Sequence, residues 1–143
     1  KLKGEEQECY DKAYALLDFV GLKGKENLKS RNLPYGQQRL LEIARALATD
    51  PKVLLLDEPV AGMNEQESAE AAELVHKLRK SGITILLIEH HMKFVMGLCD
   101  ELTVLNGGQK IAEGTPEEIQ SNETVIECYL GKKRGKVVNK ANV

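Results

Sequence analysis

The chain has 143 residues, 42% hydrophobic and 29% charged, with a formal net charge of -2, enough for one modest domain with a core. The near-neutral balance supplies no basic field for nucleic acid or anionic lipid. With aromatics at 4% and no Trp, a stacking platform for single strands is also excluded.

In chain order, Ala13, Leu16, Leu17 and Val20 recur at helical spacing, and Gly21 follows as a stop signal. The polar stretch from Lys23 to Asn32 predicts a loop. A second helix is expected from about Gly36 to Ala48, with Leu40, Ile43, Ala44 and Leu47 on one face, ended by Asp50-Pro51. Val53-Leu54-Leu55-Leu56 is a short, continuous apolar run closing on Asp57-Glu58-Pro59. Such a run predicts a parallel strand buried on both faces. A third helix is expected from Glu65 to Lys80, burying Ala71, Leu74, Val75 and Leu78. A second buried strand should run from Ile83 to Ile88, with Glu89-His90-His91 at its end, followed by a short helix through Leu98.

Strand, helix and strand with both strands apolar form a βαβ unit, so the fold class is α/β with a parallel sheet. Beyond it, Glu101–Leu105 and Gln109–Ala112 flank Asn106-Gly107-Gly108, a hairpin signal. Thr115-Pro116-Glu117-Glu118 reads as a capping box with Pro at the first helical position. A final helix is expected from Glu123 to Leu130. The stretch 132–143, with five cationic residues, predicts a disordered, solvated tail.

The longest apolar runs are too short to cross a bilayer, so membrane contact is expected only through partners. Cys9, Cys99 and Cys128 fit no disulfide or zinc spacing and predict buried or partly buried free thiols in a reducing compartment. Asn122-Glu123-Thr124 matches a glycosylation acceptor, read here as coincidence.

Three clusters bear chemistry. Ligands of open parallel sheets bind beyond the carboxyl ends of the strands, where both Asp57-Glu58 and Glu89-His90 fall. Adjacent carboxylates on an alternating strand point apart. One can hold Mg²⁺ through water while the other faces an attacking water, a division suited to phosphoryl transfer. Two solvated acids at a capped strand end would look the same. The turn Leu33-Pro34-Tyr35-Gly36-Gln37-Gln38 leads into a helix start with free backbone N–H groups, a ready phosphate site. Because Pro34 has no N–H, Tyr35, Gly36 and Gln37 must donate. His90 is either a hydrogen-bond donor to a γ-phosphate or a satisfied structural histidine, and His91 opens the next helix, partly exposed.

In order and spacing these clusters resemble the ABC ATPase family. Leu33-Pro34-Tyr35-Gly36-Gln37-Gln38-Arg39 resembles its signature, Val53 to Pro59 its Walker B strand, Ala61-Gly62-Met63-Asn64 its D-loop, and His90 its switch histidine. Tyr35 to Arg39, Glu42 to Pro51, Ala61 to Asn64 and Lys110 to Pro116 are similar to ATP-binding subunits of branched-chain amino acid importers. The resemblance implies a partial P-loop NTPase-like fold, with the end of a helical subdomain over 1–35, the core over 36–131 and the tail over 132–143. It implies ATP and Mg²⁺ as ligands: Asp57 would coordinate Mg²⁺ through water, Glu58 would act as general base, and His90 would contact the γ-phosphate. Leu33, Tyr35, Gly36 and Gln37 would cover ATP held by a second ATP-binding subunit in a head-to-tail dimer, with Asn64 at the seam. Arg39 reads as a surface or ion-pair residue. The implied partners are transmembrane permease subunits, and the implied location is peripheral, on the cytoplasmic side of the cell membrane.

Pro34 and Tyr35 stand where the family usually has Ser and Gly, so backbone donors must suffice, and Asn64 replaces the usual Asp. No Gly-x-x-x-x-Gly-Lys-Ser/Thr occurs in the 143 residues. Gly21 to Glu26 comes nearest and fails in spacing and final residue. The resemblance therefore implies that the loop-bearing half lies outside this sequence, and that these residues alone neither hold ATP tightly nor hydrolyse it; that half would also supply sheet neighbours, so apolar edges such as Val53–Leu56 are expected to be exposed and to favour association. An ABC-type ATPase acting on DNA would carry long heptad runs, which are absent. A non-catalytic interaction module would use the acids only as strand-end residues.

Overall fold

The computed structural model describes residues 2–130, with the side chains of Leu2 and Leu130 left aside; the cationic tail lies outside the described residues. These residues fall into two compact units divided between Phe94 and Val95.

The first unit opens with α1 (Leu2–Phe19). Its end is fixed by Gly21, at φ 81°, a backbone region costly for a residue with Cβ. Gly21 N–H donates to Asp18 C=O (3.0 Å) and Leu22 N–H to Leu17 C=O (2.7 Å), the bond pair of a Schellman cap. Leu22, just past it, is 1% exposed. The expected loop follows, except for one 3₁₀ turn at Ser30–Asn32. Helix α2 (Tyr35–Leu47) buries Gly36, Ile43, Ala44 and Leu47. It starts one residue before the expected Gly36, because Pro34 serves as N-cap.

Strand β1 (Val53–Asp57), helix α3 (Glu65–Lys80) and strand β2 (Thr84–Ile88) form the βαβ unit. The strands pair in parallel, Leu55 opposite Leu86 and Asp57 opposite Ile88. Helix α3 buries the four residues anticipated, Ala71, Leu74, Val75 and Leu78. The strands are buried on one face only, and the run Val53–Leu56 shows on the other the apolar exposure expected of it. Leu54 and Leu56 are buried at 3% and 7%, while Val53, Leu55, Leu86 and Ile88 are 56–69% exposed. The reason is alternation: Leu54 and Leu56 point to the buried side, and among the described residues nothing covers the opposite face. Helix α4 (Met92–Leu98) crosses the division between the units.

The second unit holds β3 (Leu102–Asn106) and β4 (Gln109–Gly114), an antiparallel hairpin with a register shift at Val104/Leu105. Gly107 and Gly108 take φ 57° and 79°, the paired positive angles of a tight hairpin turn. Thr115 and Glu118 make the expected capping box on α5 (Pro116–Ser121). Asn122 Oδ1 accepts from the N–H groups of Thr124 (3.0 Å) and Val125 (3.3 Å) at the start of α6 (Glu123–Leu130). That asparagine thus has a capping role. The thiols are free, but Cys9 and Cys128 are exposed rather than buried, since they occupy the outer faces of α1 and α6; Cys99 is half-buried.

Candidate functional site

At the carboxyl ends of β1 and β2 the structure brings Glu58 and His90 together. Asp57 is the last residue of β1 and pairs with Ile88, so Asp57 and His90 share one rim of the sheet. The Glu58 N–H extends the ladder by donating to Ile88 C=O at 2.8 Å. Glu58 then adopts φ 45°, the left-handed region that non-glycine residues avoid. This places its carboxylate Oε1 3.1 Å from His90 Nδ1, with both side chains at least half exposed. Since a carboxylate only accepts, Nδ1 carries the hydrogen in this pairing.

Glu89 sits beneath this pair with its side chain 0% exposed. Its Oε2 accepts from the His90 N–H (2.8 Å), the His91 N–H (3.1 Å) and His91 Nδ1 (2.8 Å). Burial pushes the Glu89 carboxyl upward, but the His91 ring and the two backbone N–H groups outweigh that and hold it below its ordinary value. Glu89 was read in the sequence only as part of an acidic-polar strand end. Its apolar-strand register, one residue past Ile88, was the available signal for burial.

The second cluster joins the Leu33–Gln37 turn to the segment after β1. Pro34 caps α2 without a side-chain bond. Gln38 N–H closes the first turn on Pro34 C=O (3.0 Å), which leaves the N–H groups of Tyr35, Gly36 and Gln37 as the free first-turn donors. Leu33 is buried, and its carbonyl accepts from Gln38 Nε2 at 2.8 Å. Gln37 Oε1 accepts from Lys25 Nζ at 2.6 Å. Tyr35 is held from two sides. Arg39 stacks on its ring at 5.1 Å and donates to its hydroxyl at 2.7 Å, while Gly62, at φ 74°, lies so close that a Cβ there would meet the ring at 3.0 Å. Arg39 also pairs with Glu42 at 2.8 Å; these bonds to Glu42 and Tyr35 push its pKa upward.

Asn64 and Glu67 form a reciprocal capping box on α3, and the Glu67 carboxylate crowds Gly36, its Oε1 2.9 Å from where a Cβ would stand. Glu67 went unnoticed in the sequence, although Asn64-Glu65-Gln66-Glu67 carries the capping spacing. Among the described residues no side-chain hydrogen bond is seen between the Tyr35–Gly62 cluster and the Glu58–His90 pair, although the Ala61 N–H donates to Glu58 C=O at 3.1 Å. A groove of about 460 Å³ reaches Gln37, Leu40, Glu70 and Leu74 but none of Asp57, Glu58 or His90.

A parallel βαβ unit with two acids and a histidine at its strand ends, preceded in the chain by a helix N-terminus with free amides, is consistent with a partial P-loop NTPase-like α/β fold. Comparison with known proteins narrows this class. Residues 1–61 match the ABC transporter family, and residues 109–134 match the branched-chain amino acid ATP-binding cassette transporter family. The high-affinity branched-chain amino acid transport ATP-binding protein LivG of Salmonella typhimurium is 50% identical over 127 residues, covering 88% of this chain and 50% of that protein. BraF of Pseudomonas aeruginosa, of the same description, is 46% identical over a similar share. Among solved structures, the ADP conformation of an ATP-binding cassette of an ABC transporter aligns with a TM-score of 0.79 at 37% identity, over 87% of this chain and 51% of that one. The chain is thus similar to ATP-binding subunits of ABC transporters over most of its length, and it spans about half the length of the curated relatives it matches.

Proposed function

We propose that this chain supplies the hydrolytic half of the ATP site in the ATP-binding subunit of an importer for branched-chain or similar amino acids. The observation that carries the reading is the Glu58–His90 pair, 3.1 Å apart at the carboxyl ends of paired parallel strands. The substrate class rests on the relatives' described transport and on the match at residues 109–134.

In this reading Glu58 holds the attacking water and accepts its proton. The strained backbone fixes the direction of that carboxylate. His90 contacts the terminal phosphate of ATP. With Nδ1 donating to Glu58, its Nε2 donates to phosphate only when the ring is protonated or the Glu58 contact is released. Asp57, exposed at the strand end and offering only oxygen donors, suits Mg²⁺ held through water. Mg²⁺ would neutralise phosphate charge there. Leu33 positions the turn from the core, and the amides of Tyr35, Gly36 and Gln37 face ATP on a second subunit. Asn64 lies at the seam. Transmembrane permease subunits complete the assembly, which sits peripherally on the cytoplasmic side of the membrane. No helix among the described residues is long and apolar enough to cross it.

The test uses the 143-residue chain alone and the chain joined to the first half of the Salmonella relative, which by family resemblance supplies the phosphate-binding loop. The chain alone should show no ATP hydrolysis above buffer. The joined polypeptide should hydrolyse ATP, and Glu58→Gln should lower its rate about 10²–10⁴-fold. Glu58-dependent hydrolysis by the chain alone, or a joined polypeptide indifferent to Glu58→Gln, contradicts the reading.

A further inference from the structure

Glu89 is more than a brace for the histidines beside it. Its Oε2 is saturated by three donors, but its Oε1 is buried and has no partner. A buried carboxylate oxygen left without a donor or counter-charge is costly. The imidazoles of His90 and His91 flank this carboxylate, with ring centroids 4.3 Å apart. One ligand atom from each of Glu89, His90 and His91 falls within 4.8 Å of the others. His91 Nδ1 lies 2.8 Å and His90 Nδ1 3.7 Å from Glu89 Oε2. Both rings are at least half exposed, so an ion reaches them from solvent.

We propose that Glu89, His90 and His91 form a binding site for a borderline divalent transition-metal ion such as Zn²⁺ at the carboxyl end of β2. Two imidazoles and one carboxylate are a donor set for Zn²⁺, leaving a further position for water. The same set is a poor match for Mg²⁺, which takes oxygen donors. The site is therefore chemically distinct from the oxygen-only position at Asp57. The ion adds positive charge beside the Glu89 carboxylate, whose Oε1 has no partner. Converging the three ligands requires the exposed His90 and His91 rings to turn, His91 Nδ1 exchanging its bond to Glu89 Oε2 for the ion, while the backbone N–H groups of residues 90 and 91 keep Glu89 in place. An ion held here also withdraws His90 from Glu58, 3.1 Å away. It would thus inhibit hydrolysis; this consequence, unlike the site itself, rests on the reading of Glu58 and His90 as the hydrolytic pair.

The experiment titrates Co²⁺ and Zn²⁺ into the 143-residue chain. Co²⁺ should give visible absorption of a four- or five-coordinate centre at one equivalent, without the thiolate charge-transfer band that Cys9 or Cys128 would produce, and Zn²⁺ should displace it. His91→Ala should weaken binding at least about tenfold, as should Glu89→Gln. His76→Ala, on α3 and outside the cluster, should leave it unchanged. His91 is exposed, so His91→Ala keeps the test valid if Glu89→Gln fails to fold. In ¹⁵N spectra the ring nitrogens of His90 and His91 should shift together. Binding unaffected by His91→Ala, a thiolate spectrum, or no absorption at all overturns the site. In the joined polypeptide, Zn²⁺ should inhibit hydrolysis, and His91→Ala should relieve it. Zn²⁺ bound at these residues without inhibition overturns the inhibitory consequence alone.

Discussion

Glu58 combines a left-handed backbone, at φ 45°, with a side chain that makes one exposed contact. Such backbone costs on the order of 1–3 kcal/mol and persists where function holds it. Asn tolerates this region better than Glu. Glu58→Asn should therefore raise the chain's stability by up to about 1 kcal/mol while abolishing hydrolysis in the joined polypeptide. Urea unfolding midpoints read the first effect, and a clear loss of stability would argue against stored strain. Gly62 makes the opposite case. Its φ of 74° and the Tyr35 ring at 3.0 Å predict that Gly62→Ala costs about 1–3 kcal/mol in the same assay. The candidate residues Asp57, Glu58 and His90 stand out in the sequence by residue type and spacing, because they follow apolar strands and strand ends are where ligands bind. Glu67 and the burial of Glu89 do not. Glu67's contact with Gly36 joins positions 31 residues apart in sequence, which no local pattern encodes. Glu89 looks like any strand-end acid until His91 folds back on it.

Among the elements, the helix boundaries came closest to expectation because caps are local. The Gly21 stop, the Thr115 box and the span Glu65–Lys80 all follow from short-range bonds. Asn64 shows the energetic side. Asn64→Ala removes the side-chain acceptor of the Glu67 N–H at 2.9 Å but keeps the backbone N–H that donates to Glu67 Oε2 at 3.0 Å. It should cost about 1 kcal/mol, with Asn64→Asp near neutral; equal losses from both variants would contradict the capping account. The hairpin gives a pH prediction. Hydrogen bonds from Lys110 and then Thr103 hold the Glu113 carboxyl below its ordinary value of 4.5. A depressed carboxyl contributes stability above the unfolded pKa and loses it as pH falls through the folded one. The hairpin contribution is therefore complete above pH 4.5 and fades below it. Carboxyl NMR titration of Lys110→Ala should move Glu113 back toward 4.5, and an unmoved midpoint would show that the pairing is not made in solution.

For the whole molecule, the informative element is the sheet. A run such as Val53–Leu56 reads as buried on both faces, because apolar composition reports the burial a sequence is built for and not which neighbour provides it. Here Leu54 and Leu56 face the core while Leu55 and Leu86, paired across the strands, are 69% and 59% exposed. Leu54→Ala should destabilise the chain by about 2–5 kcal/mol. Leu55→Thr with Leu86→Thr should cost far less and reduce self-association on light scattering, because exposed apolar strand surface drives association.

The measurement closest to the central claim is nucleotide retention. The joined polypeptide carrying Glu58→Gln is incubated with Mg²⁺ and ATP, then passed through gel filtration with light scattering. The Glu58–His90 account predicts uncleaved ATP co-eluting at dimer mass, with the wild type monomeric and free of ATP. A folded Glu58→Gln protein that elutes as a nucleotide-free monomer would contradict it.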